Sequence, residues 1–144
     1  MTDQDRTTDR DQVMRCVEAV HHLAELHRRA AAAALDDAGL TESTAGLLQL
    51  LGTVGTASMS VVAHHLSCDP SNVTLLAADL EELGLAQRVQ DPDDRRRRLL
   101  QLTEPGRRAH ARMVDAVTAA SPLSALSPRQ LKTLTATLEV TRQD

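Results

Sequence analysis

No Phe, Tyr or Trp occurs anywhere in the chain. Its core must therefore be packed from Leu, Val, Ala and Met, and a ligand site would have no ring to stack on. A long apolar run is missing as well. Residues 1–11 are polar and charged, which excludes a secretory signal, and no later stretch approaches the roughly 20 apolar residues of a membrane span. These absences lead to the expectation of a cytoplasmic protein with no membrane partner. Cysteine is scarce: Cys16 and Cys68 stand far apart with no paired spacing. Such thiols read as reduced and intracellular, not as a disulfide framework or a zinc site. Motifs for catalysis are lacking too. There is no Ser-His-Asp ordering and no glycine-rich phosphate loop, and Gly52-Thr53-Val54-Gly55 reads as a turn. Neither an enzyme nor a bound cofactor is expected.

What is present is one ordinary domain's worth of chain: 144 residues, 42% apolar and 25% charged, enough for a single core and short for two. The net charge of −4 argues at first against nucleic acid. Its distribution argues otherwise. Between Ala30 and Gln87 there is no Lys or Arg, against seven acids: Asp36, Asp37, Glu42, Asp69, Asp79, Glu81 and Glu82. Between Arg88 and Arg112 there are eight arginines. Where that basic charge falls decides the reading.

Residues 1–10 read as a disordered leader. Val13, Val17, Val20, Ala24, Ala31 and Leu35 then recur at helical spacing, so 11–37 is one long helix, ended by Gly39 as a C-terminal cap. Thr41 is an N-cap for a helix through Leu47, Leu48, Leu50 and Leu51, stopped by Gly52 and Gly55. Ala57-Ser58 reads as a short link to a third helix over Met59–Leu66. After the turn at Ser67-Cys68, Asp69 before Pro70 opens a fourth helix, with the aspartate side chain as cap and proline at the first helical position. That helix stops at Gly84. Residues 85–89 and 98–102 read as two short strands around a polar tip, Gln90–Arg97, which makes a β-hairpin. Thr103-Glu104-Pro105-Gly106 begins a helix that Ser121-Pro122 breaks. Ser127-Pro128-Arg129-Gln130 is a capping box for a last helix bearing Leu131, Leu134 and Leu138. The fold class is mainly α with a small β-hairpin wing.

Two short helices joined by a tight turn and followed by a hairpin make a winged helix-turn-helix. In such a motif the second helix presents small polar side chains at its N-terminal end to base edges in the major groove. Here that end offers Ser71, Asn72 and Thr74, while Val73, Leu76 and Leu80 turn inward. The hairpin tip carries Arg95, Arg96 and Arg97, suited to a narrow minor groove and its phosphates, with Arg88 on the preceding strand. Double-stranded DNA is the partner these residues fit.

These segments, in this order, resemble the MarR family (multiple antibiotic resistance regulators). The likeness is carried by Gly39-Leu40-Thr41, by Asp69 to Thr74, by Leu80-Glu81-Glu82-Leu83-Gly84-Leu85, by Asp91-Pro92-Asp93-Asp94-Arg95-Arg96, by Leu102 to Arg107, and by Leu126-Ser127-Pro128. It extends over residues 11–140. The resemblance implies a homodimer built on the first and last helices, a pseudo-palindromic operator, and a small-molecule effector pocket between the dimer helices and each winged lobe. It also implies that Asp94 braces Arg96 while an arginine of the tip enters the minor groove. The corresponding domain plan is a leader at 1–10, a dimerisation helix at 11–38, a DNA-binding lobe at 39–103 and dimerisation helices at 104–144. One departure matters: family recognition helices commonly carry basic residues near Leu75 and Asp79, and this chain has none there. Phosphate neutralisation supplies most sequence-independent affinity, so the grip on DNA must come from the wing, Arg88 and, secondarily, His64 and His65.

Three further features have sharper and plainer readings. Cys16 lies near the place where peroxide-sensing members of the family carry a reactive thiol, but the tyrosines such sensors use are absent, so it reads first as structural. His22 and His27 could line the effector pocket or simply lie at a surface or interface. His22 has Glu18 and Glu25 at helical spacing but no third ligand, and no metal is expected. The functional expectation is a ligand-responsive repressor. The alternative is a dimeric ligand-binding or interaction protein of the same fold with little DNA affinity.

Overall fold

The computed structural model describes the backbone of residues 3–142 and the side chains of residues 9–141. In chain order it holds α1 (Asp3–Asp37), α2 (Glu42–Val54), β1 (Thr56–Ser58), α3 (Met59–Leu66), α4 (Pro70–Glu82), β2 (Ala86–Gln90), β3 (Arg98–Leu102), α5 (Glu104–Ala120) and α6 (Pro128–Glu139). Short 3-10 turns, Pro122–Ala125 and Val140–Arg142, flank α6. No described helix is long and apolar enough to cross a membrane.

The chain divides into two compact units, one of residues 32–117 and one of residues 1–31 with 118–144. The first holds α2, α3, α4, the sheet and most of α5. This differs from a lobe confined to 39–103 and from one compact domain, because the apolar side of α5 packs with the lobe. Met113 is buried in its core, and Ala109, Val114 and Val117 pack against it.

That core is aliphatic, as the absence of aromatics requires. Leu47, Leu48 and Leu51 of α2, Val62 of α3, Val73 and Leu80 of α4 and Leu100 of β3 are fully buried. Each contributes about 1.5–3 kcal/mol by leaving water. Thr41 caps α2 through a capping box with Thr44: the Thr44 amide donates to Thr41 Oγ1 at 3.1 Å and the Thr41 amide to Thr44 Oγ1 at 2.9 Å. Gly39 closes α1 with φ +69°, and the Leu40 amide turns back to donate to the Leu35 carbonyl at 2.9 Å.

Four local expectations are corrected. Helix α1 begins at Asp3, so residues 3–10 are helical and not a disordered leader; no Pro or Gly interrupts 3–37, and Met1 and Thr2 lie outside the described residues. Gly52 does not stop α2, which runs on to Val54 and is closed by Gly55 at φ +82°. At Gly52 the missing side chain leaves a seat for the His110 ring, whose Nε2 lies 3.0 Å from Gln49 Oε1. The expected link at Ala57-Ser58 is strand β1, so the wing is a three-stranded antiparallel sheet of order β1-β3-β2 and not a simple hairpin. Thr56 pairs with Gln101, Ala57 with Leu100 and Ser58 with Leu99. A three-residue strand exists only because β3 offers it a partner. Lastly, Asp69 is the N-cap of α4 by its backbone, but its exposed side chain makes no capping bond. Pro70 already fixes the first helical φ and has no N–H to satisfy.

The joint between wing and α5 explains the Leu102–Arg107 segment physically. Thr103 Oγ1 donates to the Gly84 carbonyl at 2.7 Å and accepts from the Gly106 amide at 3.1 Å. The Thr103 amide donates to the Leu85 carbonyl at 3.0 Å. Gly106 sits so close to that carbonyl that a Cβ would lie 1.8 Å from its oxygen. Gly106→Ala should therefore cost at least the roughly 1–3 kcal/mol of an overpacked site. Gly39→Ala, with open space around it, should cost about 1 kcal/mol or somewhat more for its positive φ alone. Thermal or denaturant melts of the two variants check this; equal losses would reject the close approach.

Candidate nucleic-acid interface

Helices α3 and α4 meet through Ser67, held at φ +49°. Val73, Ala77 and Leu80 bury one side of α4, which turns Ser71, Asn72 and Thr74 to solvent on its first two turns. Thr74 Oγ1 is partly occupied, donating to the Pro70 carbonyl at 3.0 Å. Since the Asp69 side chain does not cap the helix, the amides of Ser71 and Asn72 are left without an intrahelical or side-chain partner. Ala63, His64, Ser67, Cys68, Asp69 and Asn72 surround an open depression at this turn. His65 is exposed beside it.

The wing tip, residues 91–97, is a closed loop. The Asp91 amide donates to the Arg97 carbonyl at 3.1 Å, and the Arg97 amide to the Asp94 carbonyl at 2.9 Å. Asp94 Oδ1 accepts from the Arg96 amide at 3.0 Å, so Asp94 acts on Arg96 through its backbone. Gln90 Nε2 donates to the Arg95 carbonyl at 3.0 Å. Asp91 is buried, with Oδ1 accepting from the Asp93 amide at 2.9 Å and Oδ2 4.0 Å from Arg97 Nε. Asp91 was not among the site residues expected from sequence; its position before Pro92, two residues ahead of an amide it can accept from, is the signal that could have marked it.

Not all the basic charge is free to act. Arg88 Nε lies 3.3 Å from Glu81 Oε2 of α4, so strand and recognition helix share an exposed ion pair. Glu104 engages both Arg107 and Arg108. The guanidinium groups of Arg95, Arg96 and Arg98 have no partner among the described residues. Basic charge without a counter-ion is thus concentrated at the wing tip, while Asp69, Asp79, Glu81 and Glu82 keep α4 acidic.

The other candidates belong to the second unit. His22 is exposed on α1; His27 is half-buried, its Nδ1 3.1 Å from Oγ of the buried Ser121. Cys16 is an exposed free thiol whose sulfur lies 4.0 Å from Gln12 Nε2; the other cysteine, Cys68, is half-buried in the first unit. Among the described residues no three His, Cys, Asp or Glu side chains gather around a metal-sized space.

A helix-turn-helix of α3 and α4, followed by a sheet with an arginine-rich tip, defines a winged helix-turn-helix protein. Residues 40–97 match the model of the MarR family. A solved transcriptional regulator of that family from Rhodococcus sp. RHA1 is 27% identical, over 90% of this chain and 91% of that one, with a TM-score of 0.71. CouR from Rhodococcus jostii RHA1, solved bound to p-coumaroyl-CoA, is 27% identical over 84% of this chain and 87% of its own, with a TM-score of 0.70. A candidate transcriptional regulatory protein for the hcr operon of Thauera aromatica is 38% identical over 79 residues, 55% of this chain. The chain spans about half the length of that relative, 48%. Over residues 40–97, then, the chain is similar to the MarR family.

One electrostatic consequence is measurable. The hydrogen bond from Arg107, with the charges of Arg107 and Arg108, holds the Glu104 carboxyl below the usual carboxylate range. A carboxylate with a lowered folded-state pKa stabilises the fold above the unfolded pKa, and that contribution is lost as pH falls through the lowered value. Glu104→Gln should therefore melt slightly below the parent at neutral pH, with the gap closing in acid. A gap that stays constant across the acid titration would remove Glu104 from this role.

Proposed function

We propose that this protein is a cytoplasmic, homodimeric transcriptional regulator that represses by binding a pseudo-palindromic operator and is released by a small-molecule effector. The observation that carries the reading is the pairing of two exposed features in one compact unit. Polar readers Ser71, Asn72 and Thr74 stand at the start of α4, and the unpaired arginines 95 and 96 stand on a closed wing tip. The first suits base edges in a major groove, the second a minor groove and its phosphates. Arg97 and Arg88 join the contact set, more weakly because Asp91 and Glu81 already attract them.

Dimerisation rests on the unit that holds most of α1. Val13, Val17 and Val20 recur along one side of α1, with Met14 beside them, and all four are exposed. A second copy covering them would set two copies of α4 about a two-fold axis, which is how palindromic half-sites are read. For the effector, a relative of 27% identity solved with an acyl-CoA supports a small organic ligand. His22 and His27 are the side chains proposed to meet it, His27 through its bond to Ser121. Effector binding would favour a different spacing of the α4 pair and so lower operator affinity. A thiol switch at Cys16 gains nothing from the structure, since the group beside its sulfur is the uncharged amide of Gln12.

The acidity of α4, together with the Arg88–Glu81 pair, favours a second reading: a dimeric ligand-binding protein with little affinity for DNA. Titrating labelled DNA from the region upstream of its own gene at low and moderate salt separates the two. Sequence-selective binding at low salt supports the regulator, and its absence supports the second reading. In the first case Arg96→Ala should weaken binding by about 1–3 kcal/mol, the range of a good groove contact. An unchanged affinity would reject the wing assignment.

Glu81→Gln tests the other half of the charge pattern. Losing an exposed pair should change stability by no more than about 1 kcal/mol. Binding should tighten, and the slope of log affinity against log salt should steepen by about 0.9 if Arg88 gains one phosphate. No change in slope would show that Arg88 does not reach the backbone.

A further inference from the structure

The wing tip carries more internal order than an exposed, charged loop needs for stability alone. Within residues 91–97, the backbone of each arginine of the tip is fastened: Arg95 by Gln90, Arg96 by Asp94, Arg97 by both Asp94 and Asp91. Asp91 contributes at three points. Its amide closes the loop on Arg97, its Oδ1 fixes the Asp93 amide and its Oδ2 faces the Arg97 guanidinium. It is also the one buried residue of the tip. A buried carboxylate is retained at a cost in desolvation unless its bonds serve something. What those bonds leave untouched is informative: the side chains of Arg95 and Arg96 stay exposed and unpaired among the described residues.

We infer that Asp91 is the positioning residue of the wing, ordering the loop before DNA arrives so that Arg95 and Arg96 are presented without a further ordering cost. The inference rests on the reading that the wing meets DNA. It separates Asp91 from the tip's other acids by function. The Asp94 side chain holds only the Arg96 amide, whereas the Asp91 side chain holds the Asp93 amide, faces the Arg97 guanidinium and turns its own charge inward, away from where phosphates would lie.

Two substitutions of equal charge isolate positioning from electrostatics. Asp91→Ala and Asp91→Asn both remove one negative charge, but only the asparagine keeps an oxygen for the Asp93 amide. A purely electrostatic role requires both variants to bind operator DNA more tightly than the parent. A positioning role requires Asp91→Ala to bind about 5–30-fold more weakly, the effect of freeing one residue's backbone before binding. Asp91→Asn should recover most of that loss. The free protein gives a second readout: amide exchange at Asp93, Arg96 and Arg97 should speed up in Asp91→Ala and much less in Asp91→Asn.

In a background already carrying Arg95→Ala and Arg96→Ala, Asp91→Ala should have little further effect on affinity. If Asp91→Ala does not fold, Gln90→Ala, which removes only the bond to Arg95, should still weaken binding measurably. Tighter or unchanged binding by Asp91→Ala with the parent binding normally overturns the role of Asp91 alone. Failure of the parent to bind DNA overturns the regulator reading, and this inference with it.

Discussion

The close approach of Gly106 to the Leu85 carbonyl, locked by Thr103, is the constraint on which the DNA-facing half of the molecule depends. Thr103 sits at the end of β3 and bonds to Gly84 and Leu85, which stand at the end of α4. The same hydroxyl accepts from Gly106 in the first turn of α5. Three elements therefore share one set of bonds: the helix that would read bases, the strand that carries the arginine loop, and the helix that continues to the chain's C-terminal segment. Packing alone would not fix their relative angle so tightly, because aliphatic contacts are non-directional. Hydrogen bonds to backbone carbonyls are directional, and a glycine that admits no Cβ sets the distance.

Around that joint the charges are arranged with restraint. Half of the lobe's eight arginines are matched: Arg107 and Arg108 by Glu104, Arg88 by Glu81, Arg97 by Asp91. Of the four without an ion pair among the described residues, Arg95, Arg96 and Arg98 form a short arc of the wing and Arg112 stands on α5. A protein whose recognition helix is acidic must repel phosphate generally and attract it locally. On the proposed reading, non-specific affinity would be low, and productive contact would require the wing to be placed in its groove while α4 lies in the neighbouring one.

Much of this architecture was legible in the sequence, for reasons that differ by element. Helix α2 announced itself through its capping residue and apolar spacing, α3 through the apolar spacing of Val62, Ala63 and Leu66, and the last helix through the Ser127–Gln130 box, because those signals act within one or two turns of chain. The hairpin pair β2 and β3 was legible from its polar, turn-rich tip. Strand β1 was not: three residues carry no period, and their conformation is decided by β3, more than 40 positions away. Nor could the sequence show that Arg88 spends its charge on Glu81, or that Asp91 and not Asp94 is the buried member of the tip. The first depends on how β2 lies beside α4, the second on how the tip closes on itself. The reach of α1 to Asp3 was missed for an opposite reason, since polar residues without apolar spacing resemble a tail even where nothing interrupts the helix.

The division between α4 and the wing has a consequence for how such a protein can change. The residues proposed to distinguish one base pair from another carry no positive charge, and those proposed to hold the phosphate backbone stand on a separate loop with its own internal bonds. On that proposal a substitution at Ser71, Asn72 or Thr74 would alter what is preferred while leaving the hold intact. A substitution in the arginine arc would alter the strength of the hold while leaving the preference intact. On the reading advanced above, operator choice and occupancy are two separately adjustable properties of one small domain.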